Sequence, residues 1–533
     1  MGYPATVTIH GAGRTVTGSC FEVTSGDRHV LVDCGLFQGS RTLEALNREP
    51  FAFDPAQIDA VILTHAHLDH SGLVPRLVAE GFSGPIWATA PTVDLLVPML
   101  KDAARLQEQD AERRNRRLDR ADEDPFEPIY TVADAEAALA RLRPISLGSL
   151  FTPAPGFEAM LWNAGHILGS ASVDLRHAQS RLLFSGDIGP EHKAFHPDPD
   201  APSRFHHVFC ESTYGDRERE TVTIEERRRM LEAEVKAAMA RGGNLVIPVF
   251  ALERTQELLL DLARRINAGT LKAAQVFIDS PLAMRATEVF AKYSAKLEDL
   301  GSGEVFHHPA FHFVEDVAAS RRLNDMSGAI ILAGSGMCEG GRVRYHLLEN
   351  LARRDSTILF VGFQADGTLG RTILDGAKRV RISGRDVAVR AVIRRMDSYS
   401  AHADRTELAA WIHAREPISG SLFLTHGEPG AIEALRRSLQ GEMASILVPE
   451  IGETYAVPPD GLARRLKTGR EDLRDALGRD WQNDYAAFTV DLKRALEQID
   501  ADHNRREAIR RMRGILTDYR AARSQQAALR KVT

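Results

Sequence analysis

Short apolar stretches separated by glycine-rich turns dominate the first 60 residues, a pattern typical of β-strands. Strands are predicted at residues 5–10, 29–33 and 59–64, where apolar and β-branched residues are concentrated. A helix is predicted at residues 71–82. Residues 101–124 are highly charged at helical spacing and predict an exposed helical excursion.

Strands recur further along the chain and then begin to alternate with helices. The first set of these strands is predicted at residues 159–161, 172–176, 181–185 and 207–210. After residue 215, helices 224–241 and 253–266 alternate with strands 244–250, 274–279, 328–333 and 357–363. This alternation is typical of a parallel, doubly wound sheet. Strand character returns at 387–396 and 421–425.

Length and composition narrow the class of protein. A chain of 533 residues is too long for one hydrophobic core, so at least two domains are expected. With 44% hydrophobic and 26% charged residues, wholesale disorder is excluded. We find neither an apolar run of ~20 residues nor a secretory leader pattern. The four scattered cysteines argue against a disulfide framework and a thiolate zinc site, and they predict a cytoplasmic location.

Charge is distributed unevenly between the body of the chain and its C-terminal tail. The net charge is −6, but residues 461–533 carry 17 Lys/Arg against 11 Asp/Glu, which leaves −12 on the first 460 residues. An acidic body attracts polyanions poorly, so such binding must be local or carried by the tail. Within the tail, an amphipathic helix is predicted from the spacing of Ile509, Met512, Leu516 and Tyr519. The alternative is that the tail is simply a solvated helical face.

One cluster of polar residues stands out directly after the predicted strand 59–64. It contains His65, His67, Asp69 and His70 within six positions. Imidazole and carboxylate groups suit Zn²⁺, and the carboxyl end of a strand is where layered α/β folds place ligands. His65 and His67 can point the same way from an extended segment, while Asp69 and His70 can face a second ion. The alternative is a solvated loop that happens to be rich in histidine.

Three more candidate ligands follow apolar strands far downstream. They are His166, Asp187 and His426. A lone histidine is usually structural, and Gly-Asp is common turn chemistry. Repeated His or Asp residues at strand ends nevertheless favour a shared function over independent accidents.

These residues together resemble the metallo-β-lactamase fold superfamily. The resemblance implies an αββα fold and two zinc ions, with Mn²⁺ or Fe²⁺ as alternatives. It implies that His65, His67 and His166 bind one ion, that Asp69, His70 and His426 bind the other, and that Asp187 bridges them. It also implies that Asp33, in Val32-Asp33-Cys34-Gly35, orients ligands without binding metal.

Asp187 and His426 are 239 positions apart, which leaves room for an inserted domain that resembles the β-CASP domain of nucleic-acid-cleaving members. Glu211, His402 and His426 match its motifs A, B and C. A histidine at motif C is similar to the RNA-acting branch, since the DNA-acting branch tends to carry valine there. The similarity covers residues 1 to about 455, and it includes bacterial RNA-processing nucleases and the nuclease subunit of the cleavage and polyadenylation complex.

The resemblance implies a zinc-dependent ribonuclease that acts on single-stranded RNA. The catalytic residues would be Asp69, His402 and Glu211: a two-metal hydroxide attacks phosphorus, and His402, supported by Glu211, protonates the departing 3′-oxygen. The alternatives are a DNA nuclease, a small-ester or lactam hydrolase, and an inactive RNA-binding scaffold. The expected domains are the metallo-β-lactamase parts 1–211 and 387–455, the insertion 212–386, and a helical basic extension 456–533.

Two further motifs resemble the family pattern. A glycine-rich loop is expected to bind RNA phosphate through Ser335, Gly336, Met337 and Arg342, although the family more often has a small or neutral residue at Glu339. In the second motif, which runs from Pro248 to Glu257, Arg254 is interpreted as a buried partner for a carboxylate rather than a phosphate contact. The C-terminal tail is expected to bind RNA or a second subunit, which is compatible with a homodimer.

Overall fold

The computed structural model describes residues 5–116, 125–177, 179–219, 222–271, 275–362, 364, 368–474, 492 and 495–529. The chain divides into two compact units, residues 1–478 and 479–533.

The strands of the first unit are short and largely buried. In chain order they are β1 Thr6–Ile9, β2 Phe21–Ser25, β3 Arg28–Val32, β4 Ala60–Ile62, β5 Ile86–Thr89, β6 Leu142–Ile145, β7 Phe157–Asn163, β8 Ala171–His177, β9 Ser180–Phe184, β10 His207–Glu211, β11 Leu245–Pro248, β12 Val276–Asp279, β13 Phe311–Phe313, β14 Ile330–Ala333, β15 Thr357–Phe360, β16 Arg379–Ile382, β17 Arg385–Ala388, β18 Val392–Arg395, β19 Leu422–Thr425, β20 Ile446–Leu447, β21 Thr454–Ala456 and β22 Arg464–Lys467.

The helices of this unit are α1 Arg41–Leu46, α2 Leu68–Ser71, α3 Val74–Ala79, α4 Ala90–Asn115, α5 Val132–Leu139, α6 Ile224–Ala240, α7 Arg254–Asn267, α8 Pro281–Lys292, α9 Val317–Arg322, α10 Val343–Asn350, α11 Leu369–Leu374, α12 Arg405–His413, α13 Pro429–Ser438 and α14 Glu471–Arg474. Short 3₁₀ turns lie at Pro55–Gln57, Ser294–Lys296, Gly303–His307 and Leu323–Asp325.

Two sheets form the first domain. One has the strand order β22-β21-β1-β2-β3-β4-β5-β6 and the other the order β20-β19-β10-β9-β8-β7. Their facing sides share one hydrophobic core. A row of aromatic rings crosses it, with Phe184 4.6 Å from Phe209 and Phe209 4.3 Å from Phe423. Helices pack outside the sheets, so the predicted αββα fold is confirmed.

The third sheet belongs to the inserted domain. Its order is β13-β12-β14-β11-β15-β18, and each neighbouring pair is parallel. The strands β11, β14 and β15 are buried at every position, as expected for a sheet with helices on both faces. The prediction of a parallel, doubly wound insertion is therefore confirmed.

The structure places the domain edges differently from the sequence-based boundaries. Val392–Arg395 pairs with β15, so the insertion's sheet extends past residue 386. Arg464–Lys467 pairs with β21, so the first sheet continues into the segment that was predicted to be helical. Backbone pairing between residues far apart in sequence, rather than local composition, decides both assignments.

Two predicted helices also differ from the observed ones. The helix expected at 71–82 is shorter in the structure and begins later. α2 ends at Ser71 with Gly72 as its C-cap, and a new helix, α3, begins at Val74 with Pro75 in its first turn. The excursion expected at 101–124 is the second half of α4, which begins at Ala90 and buries one face in the core. Residues 117–124 lie outside the described residues.

The second unit contains a helix at Asp502–Leu529. Glu507 forms ion pairs with Arg510 and Arg511 along its surface. Ile509 and Ile515 are exposed, at 37% and 65% of their surface. The side chains of Leu516 and Tyr519, which complete the predicted apolar stripe, lie outside the described ones. Among the helices described, none has the length and apolar character needed to cross a membrane.

Candidate metal and catalytic centre

Four side chains converge to form what we call the first ligand group, namely His65, His67, His166 and Asp187. His65 and His67 follow β4 in an extended segment that ends at the first turn of α2. The Nδ1 atom of His67 lies 3.1 Å from His65 Nε2 and 3.2 Å from His166 Nε2. The Oδ2 atom of Asp187 lies 3.6 Å from His65 Nε2 and 3.6 Å from His166 Nε2.

A second ligand group lies on the other side of Asp187. It consists of Asp69, His70 and His426. His70 Nε2 is 3.2 Å from His426 Nε2 and 3.2 Å from Asp187 Oδ1, while His426 Nε2 is 3.8 Å from Asp69 Oδ2. The two carboxylate oxygens of Asp187 therefore face different groups. This arrangement suits a carboxylate that bridges two cations.

Glycines allow the ligand loops to approach one another. A Cβ atom on Gly35 would lie 1.7 Å from the carbonyl oxygen of Asp69. A Cβ atom on Gly189 would lie 1.8 Å from the carbonyl oxygen of Gly165, next to His166. Neither backbone could move aside cheaply, so a side chain at either position would separate the segments that carry the ligands.

The donor atoms fit a divalent metal centre. Burial lowers the pKa of His65, His67 and His166, which keeps their imidazoles neutral and leaves a lone pair available on each ring. His166 Nδ1 lies 2.9 Å from the Ala401 carbonyl oxygen, so that nitrogen donates and Nε2 is left as the acceptor. Asp187 Oδ1 is buried, and the polar atoms beside it, His70 Nε2 at 3.2 Å and His426 Nδ1 at 3.3 Å, belong to the second ligand group. Unshared lone pairs held this close together are the chemistry of a cation site.

Asp33 supports the second ligand group from behind. Its Oδ2 atom accepts hydrogen bonds from His70 Nδ1 at 2.7 Å and from the hydroxyls of Ser19 and Thr64 at 3.0 Å. The backbone N–H of Thr64 donates to Oδ1 at 2.8 Å. Burial opposes the charged form of His70, but Asp187 and Asp33 outweigh it and raise the pKa of that imidazole. Asp33 is thus placed to fix the orientation of His70.

His402 lies beside the ligand groups, between two carboxylates. Its Nδ1 atom is 3.2 Å from Glu211 Oε1 and 3.9 Å from Asp187 Oδ2. Glu211 is itself held by the backbone N–H groups of Ile188 and Thr213. Burial by itself lowers the pKa of His402, but the charges of Glu211 and Asp187 raise it above the ordinary value. With Nδ1 occupied by Glu211, Nε2 is the nitrogen left to face a substrate.

Profiles of three protein families match the chain. The family described as "Metallo-beta-lactamase superfamily" matches residues 13–222, and the "Beta-Casp domain" matches residues 255–373. The "Zn-dependent metallo-hydrolase RNA specificity domain" matches residues 386–449. The ribonuclease TTHA0252 of Thermus thermophilus is 37% identical over 458 residues, which cover 84% of this chain and 99% of that protein. The chain is a β-CASP member of the metallo-β-lactamase superfamily. A β-CASP metallo-β-lactamase protein binds divalent metal, and the two ligand groups are where its donor atoms converge.

Archaeal relatives of this β-CASP protein carry a different name. The transcription termination factor FttA of Methanosarcina mazei is 30% identical over 454 residues, 81% of this chain and 68% of that protein. FttA of Methanocaldococcus jannaschii is 31% identical over 438 residues, 79% of this chain and 67% of that protein. A crystal structure of a protein of unknown function from Enterococcus faecalis V583 has a TM-score of 0.51 at 17% identity. It covers 85% of this chain and 99% of that one, and it supports the fold alone.

The glycine-rich loop lies in the β-CASP domain after β14. The loop closes on itself, since Cys338 N–H donates to the Ser335 carbonyl and Gly340 N–H to the Ser335 hydroxyl. Arg342 Nη1 donates to Asp279 at 2.6 Å and to the carbonyl of Val314 at 2.9 Å. Its guanidinium is engaged within the protein, so phosphate binding by Arg342 stays a prediction that requires these bonds to be exchanged.

Arg254 has the structural role that the sequence favoured. It is buried, and its Nη1 donates to Glu257 Oε2 at 2.8 Å.

Tyr214 is a site residue that sequence reasoning did not single out. Its ring lies edge-on to His402 with 5.6 Å between centroids, and the guanidinium of Arg217 lies 4.9 Å from the Tyr214 ring centre. Arg217 also lines a groove of about 680 Å³ along the edge of the insertion. The other charged side chains lining this groove are Arg371, Asp375, Lys378, Arg394 and Arg395. Only the adjacency of Tyr214 to motif A could have pointed to it.

Proposed function

We propose that this protein is a divalent-metal-dependent ribonuclease that hydrolyses RNA phosphodiester bonds with two Zn²⁺ ions and with His402 as general acid. The observation that carries the proposal is the position of Asp187, whose two carboxylate oxygens face the two ligand groups. His402 lies next to it, with Nδ1 3.9 Å from Asp187 Oδ2 and 3.2 Å from Glu211 Oε1. Water adds to phosphorus and the bond from phosphorus to the 3′-oxygen breaks, so a 5′-phosphate and a 3′-hydroxyl are formed.

The residues of the chain divide the work of this reaction. Bound cations would lower the pKa of a water and stabilise charge on the phosphate oxygens. Asp33 keeps His70 oriented. Glu211 accepts the Nδ1 proton of His402 and raises the pKa of that imidazole, which favours the imidazolium form with a second proton on Nε2, facing the leaving group. His402 then gives that proton to the departing 3′-oxygen, which would otherwise leave as an unstable alkoxide.

RNA is supported as the substrate by several observations. One matching family is described as an RNA specificity domain, and a relative covered over nearly its full length is named a ribonuclease. The groove that Arg217 lines presents five cationic side chains and one acidic one within the described part of the chain. Four of the five cations also have an acidic neighbour: Arg217 pairs with Asp216, Arg371 with Asp375, Arg394 with Glu234 and Arg395 with Asp397. A positive lining on an acidic body favours local binding of a polyanion.

The proposal is tested with single-stranded RNA and DNA of one sequence, each labelled at the 5′ or the 3′ end. We expect the zinc-loaded protein to cleave RNA and to leave 5′-phosphate products, because the acid protonates the 3′-oxygen. DNA should be cleaved at least about tenfold more slowly, a difference that corresponds to roughly 1.4 kcal/mol in the barrier. Equal rates on both would favour the DNA-nuclease alternative, and no cleavage with full metal loading would favour the inactive scaffold.

The C-terminal tail is proposed to bind additional RNA phosphates or a second subunit. From residue 505 onward it carries nine Lys/Arg against two acidic residues, and Ile509 is exposed on its helix. A truncation should begin at residue 479 rather than 461, because β22 completes the first sheet and Leu473 is buried against Phe37 and Ile451.

Deletion of residues 479–533 is expected to spare metal binding and to change hydrolysis of a short oligonucleotide less than about twofold. Affinity for long RNA should fall, and the slope of log affinity against log salt should flatten by roughly 0.7 for each phosphate that the tail neutralises. Filter binding over a salt series and light scattering measure these effects. If the affinity for long RNA, its salt dependence and the oligomeric state all stay unchanged, the tail binds neither RNA nor a second subunit and is only a solvated helix.

We also propose a cytoplasmic location, since all four cysteines are free thiols and buried.

A further inference from the structure

Helix α7 of the insertion carries three buried carboxylates at every fourth position. They are Glu253, which precedes its first turn, Glu257 and Asp261, and each has at most 1% of its surface exposed. Residues four apart lie on the same face of a helix. Buried carboxylates are costly unless they are paired and hydrogen-bonded, so the partners of this row indicate what it holds in place.

The N-terminal end of the row holds the loop of the metal ligand His166. Glu253 Oε1 lies 3.0 Å from Lys193 Nζ and 2.7 Å from His196 Nε2. The Leu168 N–H donates to Glu253 Oε2 at 3.3 Å, and Lys193 Nζ donates to the carbonyl of His166 at 2.6 Å. Glu253 therefore reaches the backbone on both sides of Ile167, directly and through Lys193.

The other end of the row holds the loop that carries His402. The Tyr399 hydroxyl donates to Asp261 Oδ2 at 2.8 Å, and Tyr399 is fully buried three residues before His402. Asp261 also accepts from the Nε atoms of Arg227 and Arg228, at 2.9 and 2.8 Å. The Arg227 guanidinium lies 4.5 Å from the centre of the Tyr399 ring. Two arginines and the carboxylate thus fix both the ring and the hydroxyl of Tyr399.

The two loops also contact each other. His166 donates from Nδ1 to the carbonyl of Ala401, and the rings of His166 and His402 are 4.6 Å apart. One rigid helix therefore fixes two loops that meet at the site. The backbone of Glu253 has a φ of 65°, a conformation that non-glycine residues rarely adopt. Such a conformation persists when surrounding contacts over-determine it, as the partners of the Glu253 side chain do here.

We propose that α7 is a brace that sets the positions of His166 and His402 relative to each other, with Glu253 and Tyr399 as its positioning residues. The part of this proposal that concerns His402 rests on the proposed ribonuclease function, whereas the part that concerns His166 depends on metal binding alone. Removing either anchor should leave the fold intact and loosen one loop. Loosening the His166 loop weakens metal binding, while loosening the His402 loop slows proton delivery to the leaving group.

The His402 anchor is tested with Tyr399→Phe, which removes one hydroxyl from a buried ring. We expect kcat on RNA to fall about tenfold, the lower range for loss of a supporting hydrogen bond, with KM and metal content unchanged. Hydrolysis of bis(4-nitrophenyl) phosphate should change less than about twofold, because its leaving group is stable without a proton and needs no general acid. A structural defect would slow both substrates alike.

The His166 anchor is tested by removing both charges together, in the double variant Lys193→Met/Glu253→Gln. Its apparent Kd for Zn²⁺, measured by competition with a coloured chelator, should rise about tenfold or more. Arg265→Gln is the matched control, since Arg265 is also on α7 but pairs with Glu225 and Glu232, away from both loops. The control should keep the Kd for Zn²⁺ and the kcat of the unaltered protein.

The outcomes separate the brace from a merely stabilising helix. If Tyr399→Phe and the double variant lower Tm but match Arg265→Gln in Zn²⁺ affinity, in kcat and in the ratio of the two substrates, the brace is overturned. If the double variant fails to fold, the single variant Glu253→Gln replaces it with the same readout. If the unaltered protein binds Zn²⁺ but cleaves no RNA, the proposed function fails, and the Zn²⁺ measurements still decide the part that concerns His166.

Discussion

His402→Ala is expected to lower kcat on RNA by about 10²–10⁴-fold, the range that general acid catalysis contributes. His402 stands 3.2 Å from Glu211 with its Nε2 left for a substrate, and it is not needed to complete either ligand group. The variant should therefore keep its full metal content. Single-turnover cleavage of end-labelled RNA and elemental analysis of the same preparation measure the two quantities.

His413→Ala, on the exposed end of α12, is the control and should behave as the unaltered protein. In Glu211→Gln, His402 loses a carboxylate that raises its pKa, so that pKa should fall. A general acid works below its pKa, and its contribution is lost as the pH rises through it. The alkaline limb of kcat against pH should accordingly move to lower pH in Glu211→Gln. Loss of metal from His402→Ala would contradict the role of His402 as general acid. An unchanged alkaline limb of kcat against pH in Glu211→Gln would contradict it as well.

Asp187→Asn should lower both the metal content and the RNA-cleaving activity of the protein. The unaltered protein is expected to hold two equivalents of zinc, and the variant fewer than one, because the bridging charge between the two ligand groups is lost. RNA cleavage should fall by at least roughly 10³-fold, the upper range for losing one preorganised group that stabilises transition-state charge. Elemental analysis after zinc supplementation, with a cleavage assay, gives both numbers.

Asp174→Asn serves as the matched control for Asp187→Asn. Asp174 is also a fully buried carboxylate, on β8, but its partners are Arg176 and Arg181. Its substitution should lower the free energy of unfolding while metal content and activity per folded molecule stay unchanged. Two metal equivalents retained in Asp187→Asn would contradict the bridging role, and fewer than one in the unaltered protein would contradict the two-ion centre.

The candidate ligand residues could be identified from sequence because their signal is local. His65, Asp187 and His426 each stand where a run of apolar strand residues stops and a polar residue begins. Such a change marks the carboxyl end of a strand, and the carboxyl ends of neighbouring parallel strands lie close together in space. The family resemblance then supplied the pairing of ligands, and the structure brings all seven residues into two adjoining groups.

The alternation of apolar strands with helices is also a local signal, and it identified the parallel sheet of the insertion. It could not assign β18 to that sheet or β22 to the first one, because pairing partners are chosen by the whole fold. Arg342 shows the same limit: a glycine-rich loop predicts a cationic side chain facing phosphate, but folding brings Asp279 to within 2.6 Å of that guanidinium.

The sequence by itself determined the fold class, the family and the candidate ligand residues of this protein, since apolar periodicity and short motifs depend on neighbouring positions. Only the tertiary structure decided which oxygen of Asp187 faces which group and that Tyr399 meets Asp261 across 138 positions. It also decided that Glu253 reaches the loop of His166 through Lys193. These contacts join residues distant in sequence, and a buried charge acquires its partner only when separate elements pack around it.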